Sequence, residues 1–259
     1  GVRTLIARHR DVVQERDGLR RRLHHLEKTA AAKVGPFRRW RPQSELTEDE
    51  QKIIDAFHEP YYGRWEKGDD TITVSWLGYR TLKCPLDVWT YQEMIVETRP
   101  AVIVECGTRF GGSAYFFATL LDLLGGGKVV TVDIDPSIKR PEHPRITYLL
   151  GSSIDSDIVA QVREHVGQGK RVMVVLDSDH SEAHVAEELK AYAPMVTEGQ
   201  YLVVEDTNIY GHPAYPSFGP GPMVAREACM ATNPPFDHDP IAQRFLMTLN
   251  PKGWLRRRP

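Results

Sequence analysis

Two acidic clusters, Asp177-Ser178-Asp179-His180 and Glu205-Asp206, stand at the ends of short apolar runs, Val172–Leu176 and Tyr201–Val204. Both runs have the length and β-branched content of buried parallel strands. A third such run, Ala101–Val104, ends in Glu105-Cys106-Gly107-Thr108-Arg109-Phe110-Gly111-Gly112-Ser113. Open α/β sheets bind ligands outside the carboxyl ends of their strands. Carboxylates gathered there repel one another unless a cation joins them. These residue types therefore predict a nucleotide-like cofactor held beside a hard divalent metal.

The glycine loop departs from the dinucleotide fingerprint G-x-G-x-x-G, because the second glycine is missing at the required offset. Glu105, just upstream, suits a cationic ligand better than a pyrophosphate. The next strand ends at Asp133, where a carboxylate can accept hydrogen bonds from a ribose diol. An acid there serves NAD and S-adenosylmethionine alike, and the missing phosphate cradle is what separates them. Each residue also has a plain structural reading: Glu105 as a strand-end acid, Asp133 as a turn or cap residue, His180 as a satisfied histidine.

The elements that must position these groups alternate regularly. Strands are expected at 101–106, 128–132, 146–150, 171–176 and 201–204, and helices at 113–124, 155–166, 181–193 and 223–231. Such alternation gives an α/β fold with a doubly wound, mostly parallel sheet. Upstream, Thr47-Glu48-Asp49-Glu50 fits a capping box opening a short helix toward Phe57. Residues 61–85 mix aromatics with turn residues and read as a lid or hairpin before a helix from Leu86 to about Thr98. A second lid is expected at 207–222, where Tyr210, His212, Tyr215 and Phe218 lie among glycines and prolines. With Tyr61, Trp76 and Tyr79, the first three of these are candidate acceptor contacts or ordinary packing.

Composition sets wider bounds. At 259 residues and 41% hydrophobic, the chain can bury a full α/β core. Neither an apolar run of transmembrane length nor a signal-peptide pattern is found, and three scattered cysteines suggest reduced thiols; a cytoplasmic protein without membrane contacts is expected. The near-neutral total hides an asymmetry: residues 1–41 hold 12 Lys/Arg against 4 Asp/Glu, net +8, and the remainder 21 against 31, net −10. In that basic arm Leu5, Val12, Leu19 and Leu26 recur every seven residues, the seam of a helix that pairs with copies of itself. His9 and Arg16 interrupt its second apolar position. A helix lying on its own body and a nucleic-acid arm are the alternatives. Two parts are expected: 1–46, a helical arm and linker driving homo-oligomerisation, and 47–259, the cofactor-binding domain.

Four motifs carry a family resemblance: Val104-Glu105-Cys106-Gly107 with Gly111-Gly112-Ser113; Thr131-Val132-Asp133-Ile134-Asp135; Leu176-Asp177-Ser178-Asp179-His180; and Val204-Glu205-Asp206-Thr207-Asn208. They resemble the metal-dependent small-molecule O-methyltransferases of the cephalosporin-hydroxylase-like and rhamnosyl O-methyltransferase family. At motif level they are also similar to catechol O-methyltransferases. The resemblance covers roughly residues 55–250 and implies a Rossmann-like class I methyltransferase sheet. Within the family it is most similar to enzymes that methylate a nucleotide-linked deoxysugar, such as TDP-rhamnose, in antibiotic biosynthesis.

That resemblance implies S-adenosyl-L-methionine and Mg²⁺ as cofactors. It assigns Asp177, Glu205 and Asp206 to the metal, with Asp179 as a competitor of Asp177, and His180 to the position of the general base. Glu105, Gly107, Thr108, Gly111 and Ser113 fall on the methionine side of the cofactor and Asp133 on its ribose. The implied chemistry is deprotonation of a metal-bound diol by His180 and in-line attack on the sulfonium methyl.

Three other readings have a motif behind them. Asp177, His180 and His184 could form a facial triad for non-haem iron in a hydroxylase, which leaves Glu205-Asp206 and the glycine loop without a role. Asn233-Pro234-Pro235-Phe236 resembles the catalytic tetrapeptide of nucleic-acid amino-methyltransferases but follows the last expected helix rather than the fourth strand. A sugar- or nucleotide-binding assembly protein without catalysis is the third.

Overall fold

The computed structural model describes residues 46–66 and 74–259; the heptad arm and the oligomerisation expected of it lie outside them. The helix expected after Thr47 forms as α1 (Glu48–Glu66). Its capping box is closed in both directions. Glu50 N donates to Thr47 Oγ1 at 3.3 Å and Thr47 N to Glu50 Oε2 at 2.8 Å, which satisfies donors that a first helical turn leaves without intrahelical partners. The helix runs past Phe57 and carries Pro60 in its interior. Proline removes one backbone donor there, and the stacked rings of Phe57 and Tyr61, with centroids 5.8 Å apart, span the position.

The segment expected as a lid therefore begins as helix. It continues, after residues 67–73, as a tight hairpin of β1 (Val74–Trp76) and β2 (Tyr79–Thr81). Helix α2 (Pro85–Thr98) follows, with proline at its first turn, a position where the missing N–H costs nothing. A residue before proline avoids the α region, and Cys84 is accordingly extended at φ −63°, ψ 131°. Lys83 thus lies at the bend just ahead of Cys84 and the helix.

From there the expected alternation holds: β3 (Val102–Cys106), α3 (Gly112–Leu123), β4 (Lys128–Asp133), β5 (Ile146–Leu150), α4 (Ser156–Val166), β6 (Val172–Leu176), α5 (Glu182–Tyr192), β7 (Tyr201–Val204) and α6 (Pro222–Ala231). Two short strands not expected from the sequence close the chain, β8 (Phe236–His238) and β9 (Trp254–Arg257). The seven-stranded sheet has the order β5-β4-β3-β6-β7-β9-β8. Its first five strands are parallel, and β9 runs antiparallel to both neighbours. The chain steps outward from β3 to β5 and then returns to β6 on the other side of β3. That reversal makes the crevice between the carboxyl ends of β3 and β6 the place where such sheets bind ligands.

Side chains alternate between two faces of the sheet, as strand geometry requires. Val102, Val104, Val172, Val174, Leu202 and Val204 pack with Ile158 and Val162 of α4, Val185 and Leu189 of α5 and Ala225 of α6. Ile103, Val129, Met173, Val175 and Val203 pack on the other face with Tyr91 and Ile95 of α2 and Phe116, Phe117 and Leu121 of α3. The fold is α/β, doubly wound and Rossmann-like. Among the described residues no helix is long and apolar enough to cross a membrane, and all three cysteines are free thiols.

Candidate active site

Strand parity explains why the acids meet. Counting by twos, Glu105 continues the face of Ile103, Asp177 that of Met173 and Val175, and Glu205 that of Tyr201 and Val203. All three thus emerge on the side covered by α2 and α3. Register does the rest. Asp177 N donates to Cys106 O at 2.8 Å and Glu205 N to Leu176 O at 3.0 Å, so the three strand ends lie level.

Gly107 makes this approach possible. A Cβ there would lie 1.8 Å from the carbonyl oxygen of Asp177, and its φ is +93°; only glycine fits both the space and the backbone. Gly112 has a similar role toward the hairpin, since its Cβ would fall 2.1 Å from Arg80 O. Gly111 caps α3 in the left-handed region, at φ 76°.

Glu105 is fully buried. Thr131 Oγ1 donates to its Oε2 at 2.6 Å, and Thr108 and Thr131 share a hydrogen bond of 2.6 Å behind it. Its Oε1 has no hydrogen-bond partner. Burial pushes this carboxyl above its ordinary pKa, opposed most by the nearby ammonium of Lys83. An orphaned, buried acceptor at the head of a glycine loop fits a cationic ligand group. Asp133 has local work: Arg109 N donates to its Oδ2 at 2.6 Å, Asp135 N to its Oδ1 at 2.8 Å, and Arg140 lies 3.3 Å away.

Asp177, His180 and Asp206 come together, with one ligand atom from each lying within 4.8 Å of the others. His180 Nε2 is 3.2 Å from Asp206 Oδ2. Asp206 holds a left-handed backbone, φ 51°, unusual for a residue with a side chain. Its N–H donates to Oδ1 of the buried Asn250 at 2.9 Å. Asp179, the competitor of Asp177, is turned to its own loop, where its Oδ1 accepts from Ser181 N at 2.8 Å. Burial raises the carboxyls of Asp177 and Asp206 above the ordinary range, with Lys83 the strongest opposing charge at Asp177 and His180 at Asp206.

Glu205 stands beside this cluster and is engaged by two residues that sequence reasoning missed. Lys83 donates to Asp177 Oδ2 and, at 2.7 Å, to Glu205 Oε2. Tyr91 donates to Glu205 Oε1 at 2.5 Å. The Tyr91 ring is clamped edge-on by Phe117 and Trp254, with centroids 5.2 and 4.9 Å away. Burial together with the Asp177 charge pushes Glu205 up to about 7, even with Lys83 and Tyr91 bound to it. For Lys83 burial disfavours the charge, but Asp177, Glu205 and Glu105 outweigh it and hold its pKa above that of a free lysine. The signal available in the sequence was indirect: buried carboxylates require a buried cation, and Lys83 stands just before a helix that packs on their face.

Part of this group borders a cavity of about 300 Å³, whereas Glu105, Asp133, Glu205 and Tyr91 are not among its lining residues. Gly107, Thr108, Ser113, Asp177, His180 and Asp206 line it, together with Lys83 and a rim of Tyr62, Arg80, Arg109 and Phe110. The guanidinium carbons of Arg80 and Arg109 lie 4.6 and 5.4 Å from the Phe110 ring centroid, a cation–π arrangement. Trp76 is packed away from it, edge-on to Phe116 with its indole donating to Thr119 Oγ1 at 2.9 Å.

The rival motifs are not assembled. His184 Nε2 lies 3.0 Å from Ser153 Oγ and 3.6 Å from Glu188 Oε1, apart from the Asp177–His180–Asp206 group. Asn233-Pro234-Pro235 is the turn into β8, and Phe236 is buried in the core.

Comparison with known proteins identifies the family of the chain. Residues 70–258 match the family model described as rhamnosyl O-methyltransferase/CmcI. A rhamnosyl O-methyltransferase of Mycobacterium leprae (strain TN) is 38% identical over 218 residues, 80% of this chain and 91% of that protein. One from Mycobacterium tuberculosis (strain ATCC 25618 / H37Rv) is 38% identical over 219 residues, 79% and 85% of the two chains. Among solved structures, the Mg–SAM form of CmcI superposes with a TM-score of 0.58 at 25% identity, covering 76% of this chain and 84% of that one. The chain belongs to the rhamnosyl O-methyltransferase/CmcI family.

Proposed function

We propose that this chain is an S-adenosylmethionine- and Mg²⁺-dependent O-methyltransferase acting on a sugar hydroxyl, with a nucleotide-linked deoxysugar such as TDP-rhamnose as the acceptor. The observation that carries the reading is the Asp177–His180–Asp206 group, which shares one cavity with Gly107, Thr108 and Ser113 of the glycine loop. Its oxygen donors suit a hard divalent cation, the relatives' names support methyl transfer to a sugar hydroxyl, and the Mg–SAM form of CmcI supports both cofactors.

Asp177 and Asp206 are the proposed metal ligands, joined by Glu205. Gly107, Thr108, Gly111 and Ser113 give the cofactor's methionine end its backbone cradle. Glu105 Oε1 meets its cationic part, and Asp133 lies on the ribose side. Bound there, Mg²⁺ supplies an acidified acceptor hydroxyl and S-adenosylmethionine an electrophilic methyl group. His180, oriented through its Nε2 by Asp206, takes the acceptor's proton on its other ring nitrogen. Holding acceptor and methyl in line supplies much of the acceleration. Arg80 and Arg109 at the rim support an anionic, diphosphate-bearing acceptor. Homo-oligomerisation through residues 1–46 is the remaining part of the proposal.

Calorimetric titration of S-adenosylhomocysteine, followed by nucleotide sugars with and without Mg²⁺, tests the reading. A sugar that binds only when metal is present supports the ternary site. Tight iron(II) binding with no S-adenosylhomocysteine binding contradicts it.

A further inference from the structure

Lys83 has no part in the proposed reaction. Its ammonium is buried and donates to Asp177 Oδ2 and Glu205 Oε2, oxygens from two of the residues proposed to hold the divalent ion. An ammonium seated at 2.7 Å from Glu205 Oε2 fills space that a cation with metal–oxygen distances of roughly 2.0–2.6 Å would need. Two positive charges in contact with the same pair of oxygens repel strongly at this burial.

The mobile partner is identifiable. Glu205 is anchored through its other oxygen by Tyr91, whose ring is wedged between Phe117 and Trp254. Lys83 stands two residues ahead of Pro85, outside helix α2, and has a flexible four-carbon stem between its backbone and its charge. Movement therefore falls to the lysine and not to the acids.

We infer that Lys83 is a tethered counter-cation of the metal site: its ammonium holds Asp177 and Glu205 together before the divalent ion arrives and is displaced from both carboxylates when the ion binds. The inference rests on the reading that Asp177, Glu205 and Asp206 hold that ion. Lys83 acts through those carboxylates, which makes it a positioning residue. It keeps the metal-free fold intact and weakens the metal by the competition it offers.

The test compares the full wild-type chain with Lys83→Met and Lys83→Gln, all stripped with chelator and checked for folding by circular dichroism. Mg²⁺ affinity is measured by calorimetry and thermal midpoints are read with and without Mg²⁺. Both variants should bind Mg²⁺ roughly tenfold more tightly or better, melt lower than wild type in chelator, and recover more on adding Mg²⁺. In wild-type protein labelled with ¹³C at the lysine ε-carbon, the Lys83 signal should shift as Mg²⁺ saturates, a readout that survives even if both variants fail to fold. Unchanged or weaker Mg²⁺ binding by a folded variant, or a Lys83 signal indifferent to Mg²⁺, overturns the inference and leaves the metal reading standing. Absence of Mg²⁺ binding in wild type and variants overturns both.

Discussion

His180 Nε2 lies 3.2 Å from Asp206 Oδ2, so the proposed base is oriented by an acid proposed to hold the metal. Replacing the imidazole removes proton transfer while leaving the carboxylates in place. His180→Ala should lower kcat by about 10²–10⁴-fold with little change in S-adenosylhomocysteine affinity. Steady-state turnover and calorimetry check this pair of outcomes, and near-normal turnover would argue against His180 as base.

Asp177→Asn should abolish turnover and Mg²⁺ binding while S-adenosylhomocysteine still binds, since the cofactor cradle is built from the β3–α3 loop. Parallel titrations of metal and cofactor separate the two effects. Full activity of the wild-type enzyme in chelator would sink the metal assignment.

Gly107→Ala places a methyl group 1.8 Å from the Asp177 carbonyl on a backbone at φ +93°. The ends of β3 and β6 must then part, at a cost of about 1–3 kcal/mol for the backbone conformation alone. Urea denaturation should show a lower midpoint. Any folded fraction should have lost metal affinity, because Asp177 moves with its carbonyl.

Tyr91→Phe deletes the hydroxyl that donates to Glu205 Oε1 at 2.5 Å and keeps the ring between Phe117 and Trp254. A buried carboxylate oxygen is left unsatisfied, which costs about 1–3 kcal/mol. Denaturant titration should register that loss, and a neutral result would show that water replaces the hydroxyl.

The site carries its own pH signature. Glu205 is raised from an ordinary 4.5 to about 7 in the folded chain, so the native state holds this proton more tightly than the unfolded state. In chelator its contribution to stability is full below about 4.5 and is lost as pH rises through about 7. Mg²⁺ binds ionised carboxylates, so its stabilisation has the opposite trend. The Mg²⁺-induced shift in thermal midpoint should be small at low pH and grow through this window; a shift independent of pH would contradict the assignment of Glu205 to the site.

Much of this architecture was legible because buried strands and amphipathic helices leave strong periodic traces. The runs ending at Glu105, Asp133, Asp177 and Glu205 each sit at a strand end in the structure, and the Thr47–Glu50 box caps a real helix. Strands β8 and β9, at three and four residues, are too short for alternation to be read. Residue types could not distinguish Asp177 from Asp179; backbone register does so, since Asp177 N bonds Cys106 O and Asp179 turns to Ser181. Lys83 and Tyr91 escaped notice because their meaning depends on α2 packing over the acid-bearing face, a tertiary fact with no local signature.

The most direct test of the central claim is methyl transfer itself. Wild-type enzyme is incubated with S-adenosylmethionine and TDP-rhamnose, with Mg²⁺ or with chelator, and the sugar is examined by mass spectrometry. The account predicts one added methyl group on the sugar in Mg²⁺ and none in chelator. Transfer that proceeds equally well in chelator, or a Mg²⁺- and cofactor-bound enzyme that leaves every rhamnose-bearing acceptor unmethylated, would contradict it.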